Sequence, residues 1–163
     1  MINGKDAFVK FGHDVTTVKW QSKNMVFWDV PEDIRHEIPA LPKRLFVNKL
    51  MVVPLEKGFR NLIAAGIASE LKTWDGCFTP RAIRGYEKQF QRAVNAGDFE
   101  TASKYASLHY WALAFDVNYV WNKLGAKPTL SKKFVQCFVD AGFDWGGYFK
   151  RLDGMHFQLA SLS

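Results

Sequence analysis

Prolines at positions 31, 39, 42 and 54 deny the first third of the chain any long regular element. Each removes a backbone donor and pushes the residue before it out of the helical region. That third is therefore expected to be irregular, with regular structure beginning near Pro54. From there Leu55, Phe59, Leu62 and Ile63 recur at helical spacing up to Gly66, which predicts a helix over 53–65. Glu70 to Phe78 mixes alternation with the turn pair Asp75-Gly76, predicting a strand and a bend that lead into Arg81 and Arg84. The polar segment 86–106, interrupted at Gly97, reads as two short helices.

Residues 107–120 are rich in β-formers. Ser131, Phe134, Cys137, Phe138, Ala141 and Gly142 together make a capped amphipathic helix. Tyr148 to Leu159 alternates like strands around the turn Asp153-Gly154. Helices and short strands follow one another without a βαβ rhythm, so the expected fold is α+β, a small antiparallel sheet packed with several helices. With 48% hydrophobic and 15% aromatic residues in 163 positions, the chain can bury a core without staples and is expected to form one domain over 1–163.

A net charge of +6 draws the protein toward polyanions. The basic residues are dispersed and no nucleic-acid motif accompanies them, so a nucleic-acid partner is not expected. The N-terminus lacks the pattern of a secretory signal, and no apolar run is long enough to span a bilayer, so production in the cytoplasm without stable membrane association is expected. Cys77 and Cys137 lack the paired spacing of a zinc knuckle and are expected to be two buried thiols.

Of the four histidines, His109 and His156 have acidic partners at short offsets, Asp116 and Asp153. A catalytic zinc commonly takes three nitrogen or oxygen side chains and leaves a fourth position to water. Two histidines and one aspartate could form that shell, and the spare carboxylate could take a proton from the water. The bland reading stands beside it: a hydrogen-bonded core histidine and an ordinary Asp-Gly turn. Because side chains alternate along a strand, the interval from His109 to Asp116 needs a turn, and a loop at His109 feeding a strand that ends at Asp116 is expected. His13 and His36 have no such partners and are expected to serve packing or the surface.

The stretch Ser107-Leu108-His109-Tyr110-Trp111-Ala112-Leu113-Ala114-Phe115-Asp116 resembles the Ser-x-His-x-x-Gly-x-Ala-x-Asp signature of the zinc D-alanyl-D-alanine carboxypeptidase and L-alanyl-D-glutamate endopeptidase family. Asp153-Gly154-Met155-His156-Phe157-Gln158 resembles its second signature. Trp74 to Phe78 with Arg81 and Arg84-Gly85, and Ala141 to Gly147, look like segments of phage endolysins of that family. The resemblance spans about residues 45–160. It implies that His109, Asp116 and His156 hold Zn2+, that Asp153 is the catalytic acid/base, and that Arg81 or else Arg84 binds a substrate carbonyl or carboxylate.

Two features depart from the pattern: Ala112 stands where the family has glycine, and segment 86–106 looks like an inserted hairpin bordering the cleft. The resemblance implies a monomeric peptidoglycan-degrading zinc peptidase that cuts an amide bond of the stem peptide, L-alanyl-D-glutamate first. It also implies an endolysin held in the host bacterial cytoplasm until release through the inner membrane. The alternatives are a D-alanyl-D-alanine carboxypeptidase and a non-catalytic, zinc-stabilised cell-wall-binding domain.

Overall fold

A computed structural model describes residues 1–163. The proline-rich first third is ordered, against the expectation of irregularity. The prolines bracket short elements instead of abolishing them. Helix α1 (Gly4–Phe11) opens on a reciprocal cap, in which the Asn3 side chain accepts from the Lys5 and Asp6 amides and the Asp6 carboxylate accepts from the Asn3 amide. Thr17 caps α2 (Val18–Asn24) in the simpler way. Strands β1 (Met25–Asp29) and β2 (Arg44–Asn48) pair antiparallel. Between them lies α3 (Glu32–Glu37), with Pro31 at its N-cap. Pro54 sits in the first turn of α4 (Val52–Ala64), where its missing amide hydrogen would have had no helical partner.

The remaining strands build one four-stranded antiparallel sheet in the order β3 (Trp74–Gly76), β4 (Ala114–Val117), β6 (His156–Leu159), β5 (Phe143–Trp145). The structure is thus α+β, with seven α-helices and two small antiparallel sheets. Residues opposite one another share a face, and neighbours along a strand do not. Phe115 pairs with Phe157, and Phe157 with Trp145. With Trp74 they make a stacked row across all four strands, with centroid spacings of 5.2, 5.3 and 6.4 Å.

Helix α7 (Lys132–Val139), capped by Ser131, lays Phe134 and Phe138 onto that aromatic face. Each fully buried phenylalanine contributes about 1.5–3 kcal/mol of transfer free energy. The other face of the sheet carries Asp116, His156 and Gln158. Between β3 and β4, helices α5 (Glu87–Asn95) and α6 (Phe99–Lys104) form the expected helical hairpin, and α6 packs on α1.

Helices α4 and α7 approach closely at Gly58. A Cβ built there would overlap the ring of Phe138, itself wedged among Phe59, Phe115, Phe134 and Phe157. Gly58→Ala gains about 1 kcal/mol of helix propensity but overpacks a ring that has nowhere to go, which typically costs about 1–3 kcal/mol. A net drop in melting temperature of a few degrees is expected by calorimetry. An unchanged or raised value would mean that the two helices do not need this contact.

Candidate metal centre

His109 lies in a 3-10 turn over Leu108–Trp111, entered through Ser107, whose hydroxyl accepts from the His109 amide. The turn closes at Ala112, a left-handed residue with φ 56° and ψ 38°. The position where the related signature has glycine thus does adopt the glycine conformation, and the alanine there is strained. The reversal solves the parity problem of a seven-residue offset. His109 is swung back over the strand instead of lying along it, and β4 runs one residue past Asp116 to Val117.

The ordered first third holds this turn from outside. Asn48, at the end of β2, donates to the Trp111 carbonyl at 3.1 Å, the Trp111 indole donates to the Gly12 carbonyl at 2.7 Å, and the Tyr110 hydroxyl donates to the His13 carbonyl at 2.6 Å. The third residue of the group, His156, opens β6 directly opposite Asp116. The strand expected before the Asp153-Gly154 turn is displaced. β5 ends at Trp145, and a 3-10 turn at Gly146–Tyr148 followed by loop carries the chain to Met155. Gly146 permits this, because a Cβ there would overlap the Asp153 carbonyl and press on His156.

Three side-chain atoms converge. His109 Nε2 is 3.1 Å from Asp116 Oδ1, His156 Nδ1 is 3.4 Å from the same oxygen, and the two nitrogens are 3.2 Å apart. The far side of each ring is engaged as well: His109 Nδ1 meets the Cys77 carbonyl at 2.8 Å, and His156 Nε2 meets Gln158 Oε1 at 3.0 Å. A carbonyl oxygen only accepts, so each ring in its neutral form carries its proton on the outer nitrogen and turns a lone pair inward. Two lone pairs and a carboxylate oxygen aimed at one point repel one another unless a cation lies between them. The set therefore fits a metal ion, and its nitrogen-rich, borderline-soft donors suit zinc better than calcium or magnesium.

The same closeness couples the groups by charge. Burial alone would raise the Asp116 carboxyl, but His109 and His156 outweigh it and hold the group below the usual carboxylate range. Burial would lower His156, yet hydrogen bonding and attraction to Asp116 leave its pKa raised.

Asp153 stands three residues before His156, with its own amide bonded to the Gly146 carbonyl and its carbonyl accepting from the His156 amide. The Trp145 indole pins the same turn through the Gly154 carbonyl at 2.8 Å. Asp153 Oδ1 is buried and has no hydrogen-bond partner. Burial raises this carboxyl's pKa and Asp116 adds to the rise, against the pull of His156, His109 and Arg81.

Asp116, Asp153 and His156 open into a cleft of about 810 Å³. Its walls carry Arg81, Arg84, Lys104, Lys150 and Arg151. Arg81 is half-buried, and burial lowers its pKa while Asp116 opposes the shift. Arg84 is exposed on the rim, where its carbonyl accepts from Arg151 at 2.6 Å. The hairpin 86–106 supplies Tyr86, Lys104 and Ala106 to the cleft and nothing to the three-residue cluster.

Sequence reasoning had not singled out Gln158 or the Cys77 carbonyl. Gln158 was signalled by the i, i+2 alternation that places it on the His156 face, whereas a backbone carbonyl leaves no mark in sequence. His13 stacks on Phe99 with centroids 3.6 Å apart and His36 is exposed, so neither joins the cluster. Cys77 and Cys137 are both buried and unpaired.

No curated protein and no solved structure matches the chain. The match to known families is narrower than the span of about 45–160 over which the sequence resemblance runs. Residues 101–159, which include His109, Asp116, Asp153 and His156, match the family model described as D-alanyl-D-alanine carboxypeptidase, and this supports, at family level, a peptidoglycan-related zinc peptidase.

Proposed function

We propose that this chain hydrolyses amide bonds in the stem peptides of bacterial peptidoglycan, with His109, Asp116 and His156 holding a zinc ion, Asp153 acting as general base and Arg81 binding substrate. The observation that carries the reading is the convergence of two imidazole nitrogens and a carboxylate oxygen in a cleft lined by basic side chains, together with Asp153, whose buried Oδ1 has no partner. Zinc in such a set supplies Lewis acidity, which activates water and polarises a carbonyl.

The protein's own residues do the rest. Asp153 takes a proton from the attacking water as the new C–O bond forms, then delivers it to the leaving nitrogen as the C–N bond breaks. Its Oδ1 has no hydrogen-bond partner, which leaves a lone pair there free for that transfer. The Arg81 guanidinium offers donors to the oxygen on which negative charge accumulates, and Arg84 lies farther out on the rim. Five cationic side chains facing two carboxylates favour a substrate rich in carboxylates, which stem peptides are. The spare Asp153 argues against a purely structural zinc domain, since a closed site needs no free base.

The bond we favour is L-alanyl-D-glutamate, cut by a monomeric endolysin that waits in the host cytoplasm and reaches the wall after passing the inner membrane. No helix is long and apolar enough to cross a membrane. The description of the matching family favours a second reading, removal of the terminal D-alanine. Mass analysis of digested peptidoglycan separates the two: new N-terminal D-glutamate supports the first, and free D-alanine the second.

One zinc per chain is expected by metal analysis, with strong depletion in His109→Ala and His156→Ala and loss of digestion on chelation. Full occupancy in both variants would remove the ligand assignment. Asp153→Asn keeps the size and turn preference of the residue and is expected to retain fold and zinc. Its kcat on purified peptidoglycan should fall by about a hundredfold to ten-thousandfold. Near-normal turnover would place the base elsewhere.

A further inference from the structure

We infer that Gln158 is a positioning residue for the metal centre, and that it is aimed by the main-chain carbonyl of Ile2, which makes the N-terminal segment a structural part of that centre. The inference rests on the reading of His109, Asp116 and His156 as zinc ligands. Gln158 follows His156 by two residues on β6, so both side chains rise from the same face. Gln158 is buried, with its Oε1 3.0 Å from His156 Nε2 and its Nε2 donating to the Ile2 carbonyl at 3.2 Å.

An isolated amide could present either end to the histidine. Ile2 removes that freedom, because its carbonyl has no proton to donate and must face the NH2 end. The oxygen end then faces His156, His156 Nε2 carries the proton, and Nδ1 is left with its lone pair toward Asp116 and His109. A hydrogen bond 156 residues apart in sequence thereby selects the tautomer that ligates.

Ile2 is itself fixed from two sides. The reciprocal Asn3–Asp6 cap begins one residue later, and Gly4 lies so close to the Ser103 carbonyl of α6 that a Cβ would overlap it. Residues 1–4 also line the same cleft.

The test measures zinc affinity by chelator competition at one pH, together with the His156 tautomer by 15N NMR of the metal-free protein, in the parent, Gln158→Leu and Gln158→Glu. Loss of an outer partner typically weakens metal affinity by about 10–100-fold, and that drop is expected for Gln158→Leu, with the Nε2–H tautomer no longer dominant. Gln158→Glu keeps an acceptor for His156 but sets a carboxylate against the Ile2 carbonyl. It should recover parental affinity while amide exchange at residues 2–5 speeds up. Parental affinity and tautomer in Gln158→Leu would overturn the positioning role. Unchanged exchange in Gln158→Glu would overturn the part assigned to Ile2. Absence of zinc uptake by the unaltered chain would overturn the metal reading beneath both.

Discussion

Asp116 and His156 face each other across β4 and β6, and most of what the molecule can do depends on that register. Side chains alternate along a strand, so the pairing that brings these two polar groups together also pairs Phe115 with Phe157 on the reverse side. One constraint thus serves two purposes: the aromatic row closes the core against α7, and the polar row opens on the cleft. A slip of a single residue would send the histidine into the core and a phenylalanine into the cleft. The fully buried phenylalanines make such a slip costly, and so the hydrophobic side of the sheet guards the geometry of the other side.

His109 reaches the same point by a different route. It comes from a tight turn instead of a strand, and the turn needs a residue with positive φ. Alanine fills that place at some cost in backbone strain, offset by the indole and hydroxyl contacts that anchor Tyr110 and Trp111 to Gly12 and His13 and by the Asn48 bond to Trp111. The first third of the chain lies outside the matched residues 101–159, yet it supplies the partners of this turn and, through Ile2, of Gln158.

Much of this is legible in the sequence. The helices over 53–65 and after Ser131 and the hairpin in 86–106 follow from periodicity, caps and breakers and recur in the structure within a residue or two, whereas the strand expected in Glu70 to Phe78 shrinks to Trp74–Gly76. The elements between the early prolines were not legible, because their stability comes from capping and from distant packing partners, neither of which produces a long periodic signal. The strand placed before Asp153 was lost for a similar reason. Alternation from Tyr148 onward looks extended, but the tight contact of Gly146 with the Asp153 loop decides the path. Within the site the ionisable groups announced themselves by type and spacing. Of the groups that orient them, the Gln158 amide left a trace in its alternation with His156, but the two main-chain carbonyls did not, since a backbone carbonyl looks the same at every position.

Cys77 contributes its carbonyl to His109 and keeps its sulfur out of the chemistry. Burial, reinforced by the negative Asp116, pushes the thiol's pKa far up, and its Sγ rests 3.5 Å from the Ala112 carbonyl. Only a thiolate competes well for zinc or reacts readily with oxidants. Held this way, the sulfur lies outside the cluster of His109, Asp116 and His156, and its neutral form is a poor nucleophile. Cys77 thus serves the site through its main chain alone, with its carbonyl toward His109 and its thiol turned away to the Ala112 carbonyl.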